Sequence, residues 1–357
     1  MKKLRSVIVA ISAVTMVFGT GALTGCSGNG GTAVLTSYVA VGTEAYGSTA
    51  EMIKAVADSV VEIRTESVTT QWGMQYVVSG AGSGVIVAQD EGNKEYYIVT
   101  NNHVIDGART ITVTLGTGES YAASRVAADE AGDIAVVKIA EEATLNIARW
   151  GDSDTLEIGE DVVAIGNPLG SGRTVTKGIL SASKRSIAVG NYTMTLLQTD
   201  TAINPGNSGG GLFNMRGELV GIVNAKMSDE EVEGICFAIP ANDARGIYDD
   251  LVTKGVVTGR VTLGVEVALW RESILYITKV NDAASDTFKP YDRIVSVGGN
   301  QITSVLTYNN ALATIKPNDE VQVTVYRGRL INYGFTSVIE FETQPTTFTV
   351  TAKQLSK

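Results

Sequence analysis

From Val60 onward the chain alternates short β-branched runs with clusters of Gly, Asn and Asp. Val60–Arg64, Gly84–Ala88, Tyr96–Thr100, Thr110–Leu115, Ile134–Ile139, Asp161–Ile165, Thr174–Ser181, Met194–Gln198, Leu219–Asn224 and Gly234–Ile239 each read as a strand. Many short strands at close spacing predict barrels or a sandwich. No strand–helix alternation runs through this stretch, which argues against a doubly wound sheet. Pro240 closes the last run. Beyond it, Ala244, Ile247, Tyr248, Leu251 and Val252 recur at i, i+3, i+4, i+7 and i+8, one apolar face of a helix. Gly255 is suited to its C′ position. A shorter helix is expected over Ala50–Asp58. Val261–Thr351 resumes strands, with one helical stretch near Leu306–Ile315, and is long enough for a small α+β module. The expected fold class is therefore all-β, followed by that module.

The N-terminus follows a different pattern. Lys2, Lys3 and Arg5 precede an uncharged apolar run, Val7–Phe18, and small residues lead to Leu23-Thr24-Gly25-Cys26. A basic segment, a short apolar core and a small-residue cleavage site make a secretory signal. The last four residues resemble a bacterial lipobox, in which Cys26 is lipidated and becomes the mature N-terminus. Ser6–Gly25 is also long enough to span a bilayer as an uncleaved signal anchor. Both readings export the body of the chain and tether it to a membrane. Ser27–Thr49 is rich in Gly, Ser, Thr and Ala and reads as a flexible tether.

Composition narrows the chemistry. At 357 residues and 44% hydrophobic, the chain suits about two folded domains. A net charge of −10, with no basic run after residue 5, argues against nucleic acid and against an anionic lipid surface as partners. Two cysteines provide no disulfide framework. Cys26 is assigned to lipidation, and Cys236 reads as a buried small apolar thiol. The one histidine, His103, excludes multi-histidine zinc sites by count, and no cofactor is implied.

Three segments carry candidate chemistry. His103 lies in Thr100-Asn101-Asn102-His103-Val104-Ile105, at the end of an apolar strand. Asp133 precedes the buried strand Ile134-Ala135-Val136-Val137. Ser208 sits in the Gly-rich turn Asn204-Pro205-Gly206-Asn207-Ser208-Gly209-Gly210. Each alone has a plain structural reading: a core histidine, a strand cap, a turn. Together they supply a weak nucleophile, a base to activate it and an acid to orient that base. Ser208 is the expected nucleophile, His103 the general base and acid, and Asp133 its orienting partner. The backbone N–H groups of Gly206 and Ser208 are expected to form an oxyanion hole. Gly206-x-Ser208-x-Gly210 also fits the nucleophile elbow of α/β-hydrolases, but those enzymes place histidine after serine, and no histidine follows residue 103. The order His103, Asp133, Ser208 is that of chymotrypsin-like proteases.

At these residues the chain resembles the HtrA (Deg) family of bacterial serine proteases with a PDZ domain. The matching segments are Thr100–Ile105, Gly132–Ile139, Gly151–Asp154, Val163–Gly170, Gln198–Leu212 and Phe237–Pro240, in family order. A looser PDZ resemblance runs over Arg260–Val350. There Leu263-Gly264-Val265 resembles the carboxylate-binding loop, and Tyr291–Val297 resembles the strand after a Gly-Asp turn. The resemblance departs at Gly211, where the family usually has Pro, and at Cys236 and Tyr291, where it usually has Gly. Val280–Pro290 also lacks the family's usual small-residue helix. It implies a chymotrypsin-like double β-barrel over 50–257, a PDZ-like domain over 258–357, a signal over 1–25 and a tether over 26–49. It further implies endopeptidase activity on unfolded or misfolded exported proteins, a C-terminal peptide as PDZ ligand, and a homotrimer. Lys184–Gly190 and Asn191–Leu197 resemble loops that order the active site in this family. Ala202, six residues before the serine, stands where trypsin-like specificity needs an acid, so small or medium apolar residues are the implied preference. Val223, Asn224 and Ala225 are expected to line the pocket and pair with substrate backbone. The alternative from another class is a catalytically silent tethered chaperone or PDZ binding protein.

Overall fold

The computed structural model describes residues 45–71, 74–167, 172–189, 192–204, 206–225, 235–270, 274–281, 284, 286–333 and 336–355. The expected signal and lipobox, with nearly all of the tether, lie outside the described residues.

A helix α1 (Thr49–Val56) opens the folded part, its N-terminus capped by the Ser48 hydroxyl, which accepts the Glu51 N–H at 3.2 Å. Six strands follow: β1 (Val60–Gln71), β2 (Met74–Asp90), β3 (Glu95–Thr100), β4 (Thr110–Thr114), β5 (Ser120–Asp129) and β6 (Ile134–Ala140), with a one-turn helix α2 (Asn102–Ile105) after β3. They close into an antiparallel barrel in the order β1-β2-β3-β6-β5-β4. Register explains why its central strands are apolar on both faces. Ile98 pairs with Ile86 and Val137, and all three sit in the barrel interior. The adjacent row, Val99 with Val85 and Val136, faces the other way into the main core. A strand buried on both sides reads as a continuous apolar run, which is how Tyr96–Thr100 reads.

The next strands are β7 (Arg149–Trp150), β8 (Asp161–Gly166), β9 (Thr174–Val189), β10 (Tyr192–Thr199), β11 (Gly211–Asn214), β12 (Glu218–Asn224) and β13 (Cys236–Pro240). Six of them run β11-β8-β9-β10-β13-β12, and pairing of β11 with β12 closes a second barrel, with β7 alongside β12. Val162, Ala164, Leu180, Leu197, Leu212, Val220 and Ala238 fill one core of this half. Val163, Ile165, Phe213, Ile222 and Ile239 join Val85, Val99 and Val136 in the main core. Lys184–Gly190 and Asn191–Leu197, expected as loops, are largely paired strand. Val189 opposes Tyr192 and Arg185 opposes Leu196, so β9 and β10 extend as a hairpin. Residues 190 and 191 lie outside the described residues.

Helix α3 (Ala241–Thr253) follows β13 directly and buries Ala244, Tyr248 and Leu251, the face expected from spacing. Gly255 ends it at φ +76°, its N–H reaching Asp250 O and Leu251 O. The C-terminal module contains β14 (Val261–Thr262), β15 (Val265–Trp270), β16 (Ile274–Val280), β17 (Arg293–Val297), β18 (Asn300–Gln301), α4 (Val305–Ala313), β19 (Glu320–Tyr326), β20 (Gly328–Tyr333), β21 (Thr336–Phe341), β22 (Thr346–Thr351) and β23 (Lys353–Gln354). Its main sheet runs β15-β16-β17-β19-β22, which leaves β15 at an edge. Tyr291, at a position where the resembled family has Gly, holds a left-handed φ of +75° and stacks on Tyr276 with ring centroids 6.3 Å apart. A glycine adopts such a backbone without strain and a tyrosine does not.

Beside Tyr291, Asp292 is fully buried and takes a hydrogen bond from Arg327 Nη1 at 2.5 Å and from the Lys289 N–H at 2.9 Å. Arg327 also lies over the Phe348 ring. Breaking a buried ion pair by removing one partner costs about 3–5 kcal/mol. Asp292→Ala is therefore expected to lower the melting transition of the C-terminal module by at least about 10 °C for a domain of this size. Differential scanning calorimetry on the full chain checks this; an unchanged thermogram would contradict it.

Candidate active site

The cleft between the barrels collects the three segments singled out in the sequence. Strand β3 ends at Thr100, and the turn of α2 carries His103. Asp133 is delivered by the turn before β6, at φ +49°. That turn is braced from within: Asp129 Oδ2 accepts the Gly132 N–H at 2.7 Å, and Arg260 Nη2 donates to the same oxygen at 2.9 Å. The Asp133 carbonyl accepts from Asn101 Nδ2 at 3.0 Å and from the Asn102 N–H at 3.1 Å. The strand carrying the acid is thereby stitched to the helix carrying the imidazole.

The side chains form a continuous relay. Ser208 Oγ lies 3.0 Å from His103 Nε2, and His103 Nδ1 lies 2.7 Å from Asp133 Oδ2. Asp133 Oδ1 accepts the His103 backbone N–H at 2.9 Å. Asn224 Nδ2 donates to Asp133 Oδ2 at 2.9 Å. With the Nδ1 proton on the aspartate side, the Nε2 lone pair faces the serine hydroxyl. Ser208 and Asp133 are each 6% exposed. The Ala225 N–H donates to Ser208 Oγ at 3.0 Å. The expected base, His103, is thus within hydrogen-bond reach of both the expected nucleophile and the expected orienting acid, the geometry for activating a hydroxyl.

The turn around Ser208 is held by its backbone. Gly206 has φ +100° and Gly209 φ +83°. At Gly209 a Cβ would fall 2.1 Å from the Ser83 carbonyl oxygen, so close approach of two chain segments demands glycine there. The Asn207 N–H bonds to Asn204 O, the Gly210 N–H to Asn207 O, and the Gly209 N–H to Val223 O. Among the described residues, the N–H groups of Gly206 and Ser208 have no hydrogen-bond partner. They are the two donors expected from sequence to receive an oxyanion.

The four expected pocket residues differ in their burial. Val223 is fully buried, and its N–H and C=O bond to Gly210 O and the Gly209 N–H, so it braces the serine turn instead of lining a pocket. Asn224 is also fully buried and commits its amide to Asp133. Ala225 points its N–H at Ser208 Oγ. Ala202 is exposed, and its carbonyl accepts from Thr176 Oγ1. Residues 226–234, which continue from Ala225, lie outside the described residues. In the second module Leu263 is buried, and Gly264 turns at φ +77° into Val265, which opens the edge strand β15. Cys236 is buried, and burial pushes its thiol pKa up, which suits a packing role. Sequence reasoning missed the Asn224 support of Asp133. It also missed Ser83, whose N–H donates to the Ser208 carbonyl at 2.8 Å. Gly82-Ser83-Gly84 inside an apolar strand was the available signal.

Comparison with known proteins agrees with this geometry. A family profile described as a trypsin-like peptidase domain matches residues 82–222, and one described as a PDZ domain matches residues 261–331. Serine protease Do-like HtrA of Lactococcus lactis is 38% identical over 281 residues, covering 70% of this chain and 68% of that protein. The chain belongs to the HtrA family of serine proteases. Serine protease Do-like HtrA of Bacillus subtilis is 45% identical over 185 residues, covering 50% of this chain and 41% of the relative. Among solved structures, the HtrA-type protease AlgW with a decapeptide aligns with a TM-score of 0.56 and 28% identity, over 87% of this chain and 99% of that one. The serine endoprotease from Yersinia pestis aligns with a TM-score of 0.55 and 31% identity, over 88% and all of the respective chains. The alignments to the two HtrA relatives span 41% and 68% of those proteins' own length. The trypsin-like peptidase profile match from 82 to 222 contains His103, Asp133 and Ser208, and stops two residues short of Asn224.

Proposed function

We propose that this chain is a serine endopeptidase acting through Ser208, His103 and Asp133. The observation that carries the reading is the unbroken relay from Ser208 Oγ through both ring nitrogens of His103 to Asp133 Oδ2, at 3.0 and 2.7 Å. As Oγ attacks a peptide carbonyl carbon, its proton passes to Nε2, and Asp133 stabilises the imidazolium that forms. The carbonyl oxygen becomes an oxyanion and takes hydrogen bonds from the Gly206 and Ser208 N–H groups. Collapse of this tetrahedral species breaks the C–N bond, and Nε2 returns the proton to the leaving amine. Water then attacks the acyl-enzyme, with His103 accepting its proton and finally returning one to Ser208 Oγ.

Substrate and setting follow as parts of the same proposal. Ala202 puts no charge at the pocket position that selects basic residues in trypsin, so cleavage after small or medium apolar residues is favoured. Unfolded or misfolded exported proteins are the proposed substrates, because extended chain can enter a cleft between barrels. Relatives include the periplasmic serine endoprotease DegP of Escherichia coli, 36% identical over 277 residues, in keeping with export. The basic start, apolar run and Cys26 support a lipid-anchored protein on the outer face of a bacterial membrane. The edge strand β15, entered through Leu263-Gly264-Val265, can take an added strand from a C-terminal peptide ligand. Family membership supports a homotrimer as the working assembly.

Two outcomes are expected. Ser208→Ala should lower casein hydrolysis by at least about 10⁴-fold while circular dichroism stays wild-type. Undiminished hydrolysis by that variant would refute the assignment, and a wild-type protein that binds unfolded chains without cutting them would favour the silent chaperone instead. Cys26→Ala should abolish lipid modification and shift the mature mass, because stable anchoring needs more than one acyl chain on that residue. An unchanged mature mass and membrane fraction would point to an uncleaved anchor.

A further inference from the structure

Ser83 lies on β2, outside the three segments that carry the proposed chemistry, and is fully buried. Its polar atoms are nevertheless all engaged with the floor of the site. The hydroxyl donates to the Gly206 carbonyl at 2.7 Å and accepts the Asn167 N–H at 2.8 Å. The backbone N–H donates to the Ser208 carbonyl at 2.8 Å, and the carbonyl accepts from Thr100 Oγ1 at 2.7 Å. One residue of the first barrel therefore grips two carbonyls of the serine turn, which belongs to the second.

The consequence for the free Ser208 N–H is geometric. The Gly206–Asn207 peptide is fixed at both ends, its oxygen by Ser83 Oγ and its N–H by Asn204 O. The Ser208–Gly209 peptide is likewise fixed, its oxygen by the Ser83 N–H and its N–H by Val223 O. Between them, the Asn207 carbonyl is held by the Gly210 N–H, which directs the Ser208 N–H of the same plane the opposite way. Gly206, at φ +100°, has no side chain to resist rotation of the plane it enters. Without the Ser83 hydroxyl, the Gly206 carbonyl would lose its anchor, and the Ser208 N–H in the next plane could turn away.

We propose that Ser83 is a positioning residue, whose hydroxyl and N–H lock the two peptides on either side of the Asn207–Ser208 plane so that the Ser208 N–H is set in advance for the oxyanion. This rests on the serine endopeptidase reading above. Donors fixed before reaction stabilise developing charge without reorganisation, so the effect belongs to the transition state and not to substrate binding.

The test compares wild type, Ser83→Ala and Ser83→Cys in the full chain, using a casein-derived peptide substrate and a peptide aldehyde of the same sequence. The aldehyde forms a hemiacetal with Ser208 whose oxygen occupies the oxyanion position, whereas KM and product inhibition report ground-state binding. For Ser83→Ala we expect kcat to fall about 10–100-fold, less than the ~10²–10³ for deleting an oxyanion donor outright. KM should stay within about twofold, and the aldehyde should weaken by the factor lost in kcat/KM. Ser83→Cys, with a similar shape and a weaker donor, should lie between the two, and it carries the comparison if the alanine variant does not fold. Turnover within about twofold of wild type in the folded variants would overturn the role of Ser83. So would a rise in KM at unchanged kcat, which would make the hydroxyl a part of the scaffold alone. No hydrolysis and no aldehyde adduct with wild type would instead overturn the endopeptidase reading, and the role of Ser83 with it.

Discussion

The carboxylate of Asp133 is the point on which the site depends. A buried carboxylate is costly unless its oxygens are hydrogen-bonded, and here three donors converge on it. Two belong to His103, its ring Nδ1 and its backbone N–H, and the third is Asn224 Nδ2. His103 and Asp133 stand at the ends of adjacent strands of the first barrel. Asn224 ends β12 in the second, 91 residues further along the chain. The acid thus fixes the imidazole and, in the same contact, ties the two barrels together where Ser208 must meet that imidazole. Ser83 makes the reciprocal tie from the first barrel into the serine turn, across a separation of 123 residues. Both ties use short, fully buried polar side chains, which have few conformers to lose on ordering.

These long separations explain which parts of the site could be read in the sequence. His103 was legible because it is the one histidine, and Ser208 because glycines crowd around it. Asp133 was legible because an acid leads into a buried strand, and the order of the three excluded the competing hydrolase pattern. Asn224 was not, because nothing local distinguishes an asparagine at a strand end, and Ser83 offered only the two glycines that flank it. Their meaning appears only when the barrels meet. Val223 and Asn224 were expected near a pocket, and they do lie close to the site. Their backbone and amide, however, are committed to the serine turn and to Asp133, which leaves no accessible surface.

The fold shows the same division. Strands such as β3, β6 and β8 are buried on both faces, so their apolar runs marked them. The end of β1 and the start of β2 are polar or exposed and continue the ladder without a core to bury. Thr65–Gln71 pairs with Met74–Gly80, and the described side chains along that stretch of β2 are exposed. Backbone hydrogen bonding, not hydrophobic alternation, sustains such a ribbon, so the pattern cannot show where it stops. The hairpin of β9 and β10, where two loops were expected, does reach the core: Val189, Met194 and Leu196 are buried there, and Ile187 packs against them. In the C-terminal module, Tyr291 keeps the left-handed turn that a glycine would adopt freely. Stacking on Tyr276 and the buried Asp292–Arg327 pair alongside hold it there.

The central claim is that a neutral His103, oriented by Asp133, activates Ser208. It is tested most directly by the rate at which a fluorophosphonate modifies the folded protein as pH is varied. With one histidine in the chain, a single group governs the acid side. The account predicts an adduct confined to Ser208 by peptide mapping, and a rate constant that falls tenfold per pH unit below one inflection. Modification of a different residue, or a rate that stays undiminished down to about pH 4.5 in protein that remains folded, about two units below an ordinary imidazole pKa, would contradict it.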